Sequence, residues 1–335
     1  MRITRDTLMN IVKDTVSRRT RADRGLMSIY LCGSLLRDDG FLLGGTTDID
    51  LVFIHSDAAT EAREIVPITR EIHLDISHHH HRDYRQPRQL RVHPWMGPTI
   101  FSCTILYDPQ HFMDFTQASV RGQFNDASNV MQRARSQAEH ARQMWFEIDQ
   151  KAEGAGIKEI AMYYKALDHA VNAIASLSSQ PLTERRYLLE YQQRAEAVGQ
   201  PGLYPGLLGL LGANNLDTET VRSWLSPWEA AFDAAYEVSS EARFHPARRV
   251  YYQQAFDSFI AAGQPQLLMW ALQRKWVQAV CQLPEDSPVV KDWQQAFTQM
   301  GIYGDAFVER VRAFDAYLDL IEETLDRWAY ENGVL

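Results

Sequence analysis

"LCGSLLRDDGFLLGGTTDIDLVFI", Leu31–Ile54, is the stretch on which the reading of this chain turns. Its last seven residues, Asp48–Ile54, read as a buried strand, yet Asp48 and Asp50 interrupt it. Aspartate is a poor strand residue, and burying its ionised carboxylate is costly unless a cation or hydrogen bonds compensate. Residues two apart on a strand share a face, with Cα atoms about 6.5–7 Å apart. Carboxylates so placed can converge on hard cations; Mg²⁺ takes oxygen ligands and substrate phosphates, and a pair of such ions clamps both oxygens of a phosphoryl displacement. Ile49, Leu51 and Phe53 then point to the core.

The flanking residues extend this pattern. Upstream, "LMSIYLC" predicts a strand that ends at Gly33-Ser34. Glycine lets the backbone approach a ligand closely, and amides around Ser34 suit a phosphate oxygen, as helix N-termini do. Downstream, "EIHLDIS", Glu71–Ser77, alternates, with Ile72, Leu74 and Ile76 on one side and Glu71, His73, Asp75 and Ser77 on the other. Asp75 is the third acid. Taken singly, Asp48 would merely cap the Gly-Gly-Thr-Thr turn and Asp75 would sit on a solvent face. Asp50, inside an apolar run, has neither account.

"CGS", thirteen further residues and then "DIDL" resembles the signature of the DNA polymerase β-like nucleotidyltransferase superfamily. That signature is a hydrophobic residue, Gly, Gly or Ser, a loop, then Asp-hydrophobic-Asp/Glu-hydrophobic, with a third acid from a later strand, here "LDI" at Asp75. The resemblance covers roughly residues 25–110. It implies that Asp48, Asp50 and Asp75 are catalytic and metal-ligating, with Asp75 as third ligand or general base. It also implies that Gly33, Ser34, Arg37 (three residues after the Ser) and Thr47 (before the first Asp) contact the nucleotide. Two Mg²⁺ ions and an NTP, ATP foremost, would be bound, and an NMP would pass to an acceptor hydroxyl as pyrophosphate leaves. A helical C-terminal domain after such a core is similar to the aminoglycoside nucleotidyltransferases, and by that similarity Lys165 of "AMYYKALDHAV" reaches a nucleotide phosphate. A nucleotidyltransferase-type component of a toxin–antitoxin or regulatory pair, acting on protein or RNA, is the second reading.

The rest of the chain sets the frame. Residues 5–20 predict a helix, "TIFSCTILYD" (99–108) a strand, and the sequence from Asp126 onward is of helical period. The expected class is therefore α+β: a small mixed-sheet nucleotidyltransferase core at 1–122 and an all-α helical bundle at 123–335. The Gly/Pro-rich "QPGLYPGLLGLLGANN" predicts an internal break near 199–216. Apolar and charged fractions of 45% and 23% in 335 residues are those of a soluble globular protein. No apolar run is long enough for a membrane span, so no membrane partner is expected. Three scattered cysteines and a charged, signal-free N-terminus fit a reducing cytoplasm. Net charge of −9 disfavours a nucleic-acid partner and suits a small cationic acceptor. "SHHHHRDYRQPRQLRVH" qualifies this, since Arg82, Arg85, Arg88 and Arg91 offer a basic edge for triphosphate or RNA backbone. Its four adjacent histidines, His78–His81, cannot readily all face one metal ion, and the plainer expectation is a solvated segment. Trp224, Trp228, Trp270, Trp276 and Trp293 are expected in bundle packing or in the wall of an acceptor pocket.

Overall fold

Thr4 opens the first helix, α1 (Arg5–Ala22), by accepting a hydrogen bond from the Thr7 amide at 3.2 Å. Asp6 in its first turn and Arg19 and Arg21 in its last complement the helix dipole, and Leu8 and Val12 are its buried residues on the core side. The computed structural model describes residues 3–37, 40–59, 61–214 and 216–334. After α1 come β1 (Leu26–Cys32), β2 (Thr47–His55), β3 (Arg63–Pro67) and β4 (Ile72–His80), then α2 (Pro87–Val92), α3 (Met96–Ser102), β5 (Thr104–Tyr107) and α4 (Phe112–Arg121). The strands form one mixed sheet in the order β3-β4-β2-β1-β5, with β2 and β4 parallel and the other pairs antiparallel.

Strand alternation divides the apolar residues between two cores. Ile49, Leu51 and Phe53 of β2 and Ile72, Leu74 and Ile76 of β4 pack with Leu8 and Val12 of α1. On the opposite face, Tyr30, Val52 and Ile54 pack with Leu90 of α2, Ile100 of α3 and Met113 and Val120 of α4. Each fully buried Leu, Ile, Val or Phe contributes about 1.5–3 kcal/mol of transfer free energy, so both cores are substantial.

Contacts divide the chain into two compact units, Met1–Phe124 and Asn125–Leu335. The second is a helical bundle: α5 (Ala127–Asp149), α6 (Ile157–Ser178), α7 (Tyr187–Ala197), α8 (Leu203–Leu210), α9 (Thr218–Ser239), α10 (Pro246–Ala261), α11 (Met269–Val280), α12 (Pro288–Gln299) and α13 (Ala306–Glu331). Trp228, Trp270, Trp276 and Trp293 are fully buried in it, and Trp270 stacks on Tyr187 with ring centroids 4.0 Å apart. Among its buried charges Asp168 pairs with Arg274 at 2.8 Å and Glu184 with Lys275 at 2.6 Å. Among the described residues no helix is long and apolar enough to cross a membrane.

Three local expectations need correcting. The strand expected over 99–108 is split: its first four residues end α3 at Ser102, and only Thr104–Tyr107 is strand. A short apolar run fits either state, and Pro98 near the start of α3 sits where a missing N–H costs nothing. The segment at 200–215 holds a helix of its own, α8, because Pro205 falls within its first turn. The histidine run is not a solvated loop but the end of β4 and a 3₁₀ turn over His81–Tyr84. Alternation gives its members different work. His78 lies against Phe53 and His55, His79 bonds the Tyr84 hydroxyl at 2.6 Å, and His80 caps the turn. Burial lowers the pKa of both His78 and His79.

Candidate metal centre

Alternation along β2 and β4 brings four polar side chains onto one face of the sheet. Parallel register sets Asp48 level with His73 and Asp50 level with Asp75, while antiparallel β1 sets Cys32 beside Asp50. Further along β2 the same face carries Val52 and Ile54, which the helices α2–α4 cover. One face of one strand is thus acidic at its start and apolar at its end.

Asp48, His73 and Asp75 are all buried, and one donor atom from each lies within 4.8 Å of the others. This oxygen–nitrogen–oxygen set can hold a metal ion. Asp50, half-buried, stands at the seam with β1. Its carboxylate fills the space in which any other residue at position 33 would carry its side chain: a Cβ on Gly33 would lie 1.8 Å from Asp50 Oδ2 and 2.7 Å from Cγ. Gly33 also adopts φ 78°, ψ −159°, a region essentially reserved for glycine. The following residue, Ser34, opens a 3₁₀ turn, and its buried hydroxyl oxygen has no hydrogen-bond partner among the described residues. A buried hydroxyl without a partner costs about 1–3 kcal/mol, which a bound acceptor would recover.

Charge on this face is partly balanced from within. Arg63 of β3 grips Asp75 with two parallel bonds, Nε to Oδ1 at 2.6 Å and Nη2 to Oδ2 at 2.5 Å. The field is visible at Cys32, whose thiol pKa is pushed well up by burial and then by Asp50, Cys103, Asp75 and Asp48.

Of the residues singled out from sequence, Asp48 and Asp75 come together with His73, while Asp50, expected as a ligand with them, lies against Gly33, next to Ser34, and outside that ligand group. Thr47 does not join them. It alternates to the face of Ile49, where its hydroxyl donates to the Asp48 carbonyl at 3.1 Å. Arg37 is exposed at the end of the 3₁₀ turn, its carbonyl accepting from Arg5. Lys165 is an exposed residue of α6 in the second unit. Asp38 and Asp39, in the loop between the two motif halves, lie outside the described residues. Sequence reasoning placed His73 on the Asp75 face but gave it no role, and it did not select Arg63 at all. His73 becomes a candidate ligand only through the register that sets it beside Asp48. No protein-family model matches this chain, and no curated protein matches it.

Proposed function

We propose that this chain is a metal-dependent nucleotidyltransferase that moves an NMP from an NTP to an acceptor hydroxyl, with a small cationic molecule as acceptor. One observation carries the proposal: the Asp50 carboxylate nests against Gly33 at the strand end from which Ser34 offers an unsatisfied buried hydroxyl. On this reading a turn that would grip phosphate is fitted to Asp50, which shares a sheet face with Asp48, His73 and Asp75. In the reaction the acceptor hydroxyl gives its proton to solvent, its oxygen bonds to the α-phosphorus, the α–β bridging bond breaks, and pyrophosphate takes the electron pair. Mg²⁺ held by Asp48, His73 and Asp75, joined by Asp50, would neutralise charge developing on the phosphoryl oxygens, and a second ion would draw its remaining ligands from the triphosphate. The chain itself supplies positioning: Ser34 donates to a terminal phosphate oxygen, and Gly33 keeps the backbone close. With both its oxygens engaged by Arg63, Asp75 serves as a fixed charge better than as the base that accepts the acceptor's proton.

The test is pyrophosphate release from each of the four NTPs with Mg²⁺ and cationic acceptors, after a thermal-shift screen for binding. Asp48→Asn and Asp50→Asn should each lower the rate by more than about a hundredfold, the scale of losing one transition-state charge contact. Wild-type rates in both variants, with a folded protein, would remove the proposal.

A further inference from the structure

A second polar cluster lies on the opposite, α1-facing side of the sheet, beyond the apolar core. Asp23 caps the C-terminus of α1, His55 ends β2, Glu64 lies on β3 and His78 on β4. They form a chain. Asp23 Oδ2 is 3.5 Å from His55 Nδ1, His55 Nε2 is 2.9 Å from His78 Nδ1, and His78 Nε2 is 3.6 Å from Glu64 Oε2. The other Glu64 oxygen holds Arg19 at 2.5 Å, which fixes the direction of the carboxylate. Both imidazoles are largely buried, with side-chain exposures of 13% and 12%. They line a cavity of about 480 Å³ together with Asp57 and Glu61.

Only the His55–His78 contact, at 2.9 Å, is of hydrogen-bond length; the carboxylates of Asp23 and Glu64 stand 3.5 and 3.6 Å behind the outer ring nitrogens. In the tautomers whose protons sit on the outer nitrogens, facing Asp23 and Glu64, His55 Nε2 and His78 Nδ1 turn lone pairs toward each other at 2.9 Å. That arrangement is repulsive until a cation sits between them. Carboxylates behind both rings are the pattern that orients metal-ligating histidines, fixing the tautomer and raising the basicity of the ligating nitrogen. The cavity wall brings four carboxylates against the single guanidinium of Arg19, a field that favours a cation.

We propose that His55 Nε2 and His78 Nδ1 bind a divalent transition metal of the zinc class at a site separate from the acidic face, with Asp23 and Glu64 as positioning residues. Two imidazole nitrogens make a donor pair suited to zinc rather than magnesium, whereas the acidic face sets one imidazole among carboxylates. Zn–N bonds of about 2.0–2.1 Å in a tetrahedral site place the two nitrogens about 3.3 Å apart, so the rings separate by only about 0.4 Å on binding. Water fills the remaining positions from the cavity. The ion ties the ends of β2 and β4 together, with the cap of α1 and strand β3 held behind them.

The experiment is calorimetric titration of Zn²⁺ into the chelator-stripped full chain, with Mg²⁺ in excess. One Zn²⁺ equivalent should disappear in His55→Gln and in His78→Gln, and remain in Asp48→Asn and in the double variant His80→Asn/His81→Asn. Asp23→Asn should weaken it by about 10–100-fold. Zn²⁺ uptake unchanged in both His55→Gln and His78→Gln would overturn the site, as would its loss in the His80/His81 variant. Should the histidine variants unfold, X-ray absorption of the Zn²⁺-loaded wild type decides: two imidazole ligands support the site, and an all-oxygen shell refutes it. A wild-type chain that takes up no Zn²⁺ beyond what Asp48→Asn abolishes would assign the histidine pair to a shared proton instead.

Discussion

Replacing Gly33 with alanine tests its fit to Asp50 at the tightest point. The new Cβ would meet Asp50 Oδ2 at 1.8 Å and Cγ at 2.7 Å, with the backbone at φ 78°. Two costs follow. Holding a non-glycine residue in that backbone region costs about 1–3 kcal/mol, and forcing a methyl group into filled space about 1–3 kcal/mol more. Only the second depends on Asp50. In an Asp50→Ala background the two closest atoms are gone, leaving the Asp50 Cβ at 3.1 Å, a contact that a small shift relieves. Gly33→Ala should therefore cost about 1–3 kcal/mol less there than in the wild type, a coupling of the size neighbouring residues show. Hydrogen exchange of the β1 and β2 amides, measured by mass spectrometry on all four members of the cycle, reads this as roughly a 5- to 150-fold difference in exchange rate, at 1.4 kcal/mol per tenfold. Seven of the eight tryptophans lie in the second unit, so fluorescence would report the wrong half of the chain. Equal costs in both backgrounds would show that Gly33 is not reserved for the Asp50 carboxylate.

Arg63→Gln leaves the buried Asp75 carboxylate without its guanidinium, and because Arg63 is itself 41% exposed the loss should be about 1–3 kcal/mol. Added Mg²⁺ should recover more stability in this variant than in the wild type; equal recovery would detach Asp75 from the metal centre. Burial raises all three thiols, but Cys281 is exposed and should react with iodoacetamide at pH 8 before Cys32, pushed well up, and Cys103, pushed up to about 12. Peptide mass spectrometry gives the order, and early labelling of Cys32 would contradict the acidic surroundings assigned to it. In the second unit, burial and then His140, Lys165 and Arg274 lower the pKa of His169 to about 4. The unfolded chain takes up a proton near pH 6.5 that the folded one refuses until about 4, so stability falls as pH drops through that window, by roughly 2–3 kcal/mol at its foot. Tryptophan-monitored melts should show a constant offset between wild type and His169→Gln above about pH 7, and wild type losing stability relative to the variant as pH falls from 6.5 to 4; curves parallel throughout would refute this.

The sequence alone determined what depends on local pattern. The alternation of Asp48–Ile54 and Glu71–Ser77 puts polar residues on one side and Ile and Leu on the other, because successive strand side chains point to opposite faces. The same rule puts His73 with Asp75, and it separates the four histidines, although the run was expected to be solvated. Helical period marked the second unit because an amphipathic helix needs no distant partner to be visible. What the tertiary structure decided was pairing. Nothing local states that β2 and β4 run parallel with Asp48 level with His73, and hence that a nitrogen joins the oxygens. Nothing local marks the short, exposed edge strand β3 or commits Arg63 to Asp75, since a five-residue strand carries too little periodicity to be seen. The space that Gly33 cedes to Asp50, and the meeting of His55 with His78, likewise arise only when segments 17 and 23 residues apart are laid side by side. Register is set by the whole sheet's burial of its apolar faces, and a single strand does not contain that information.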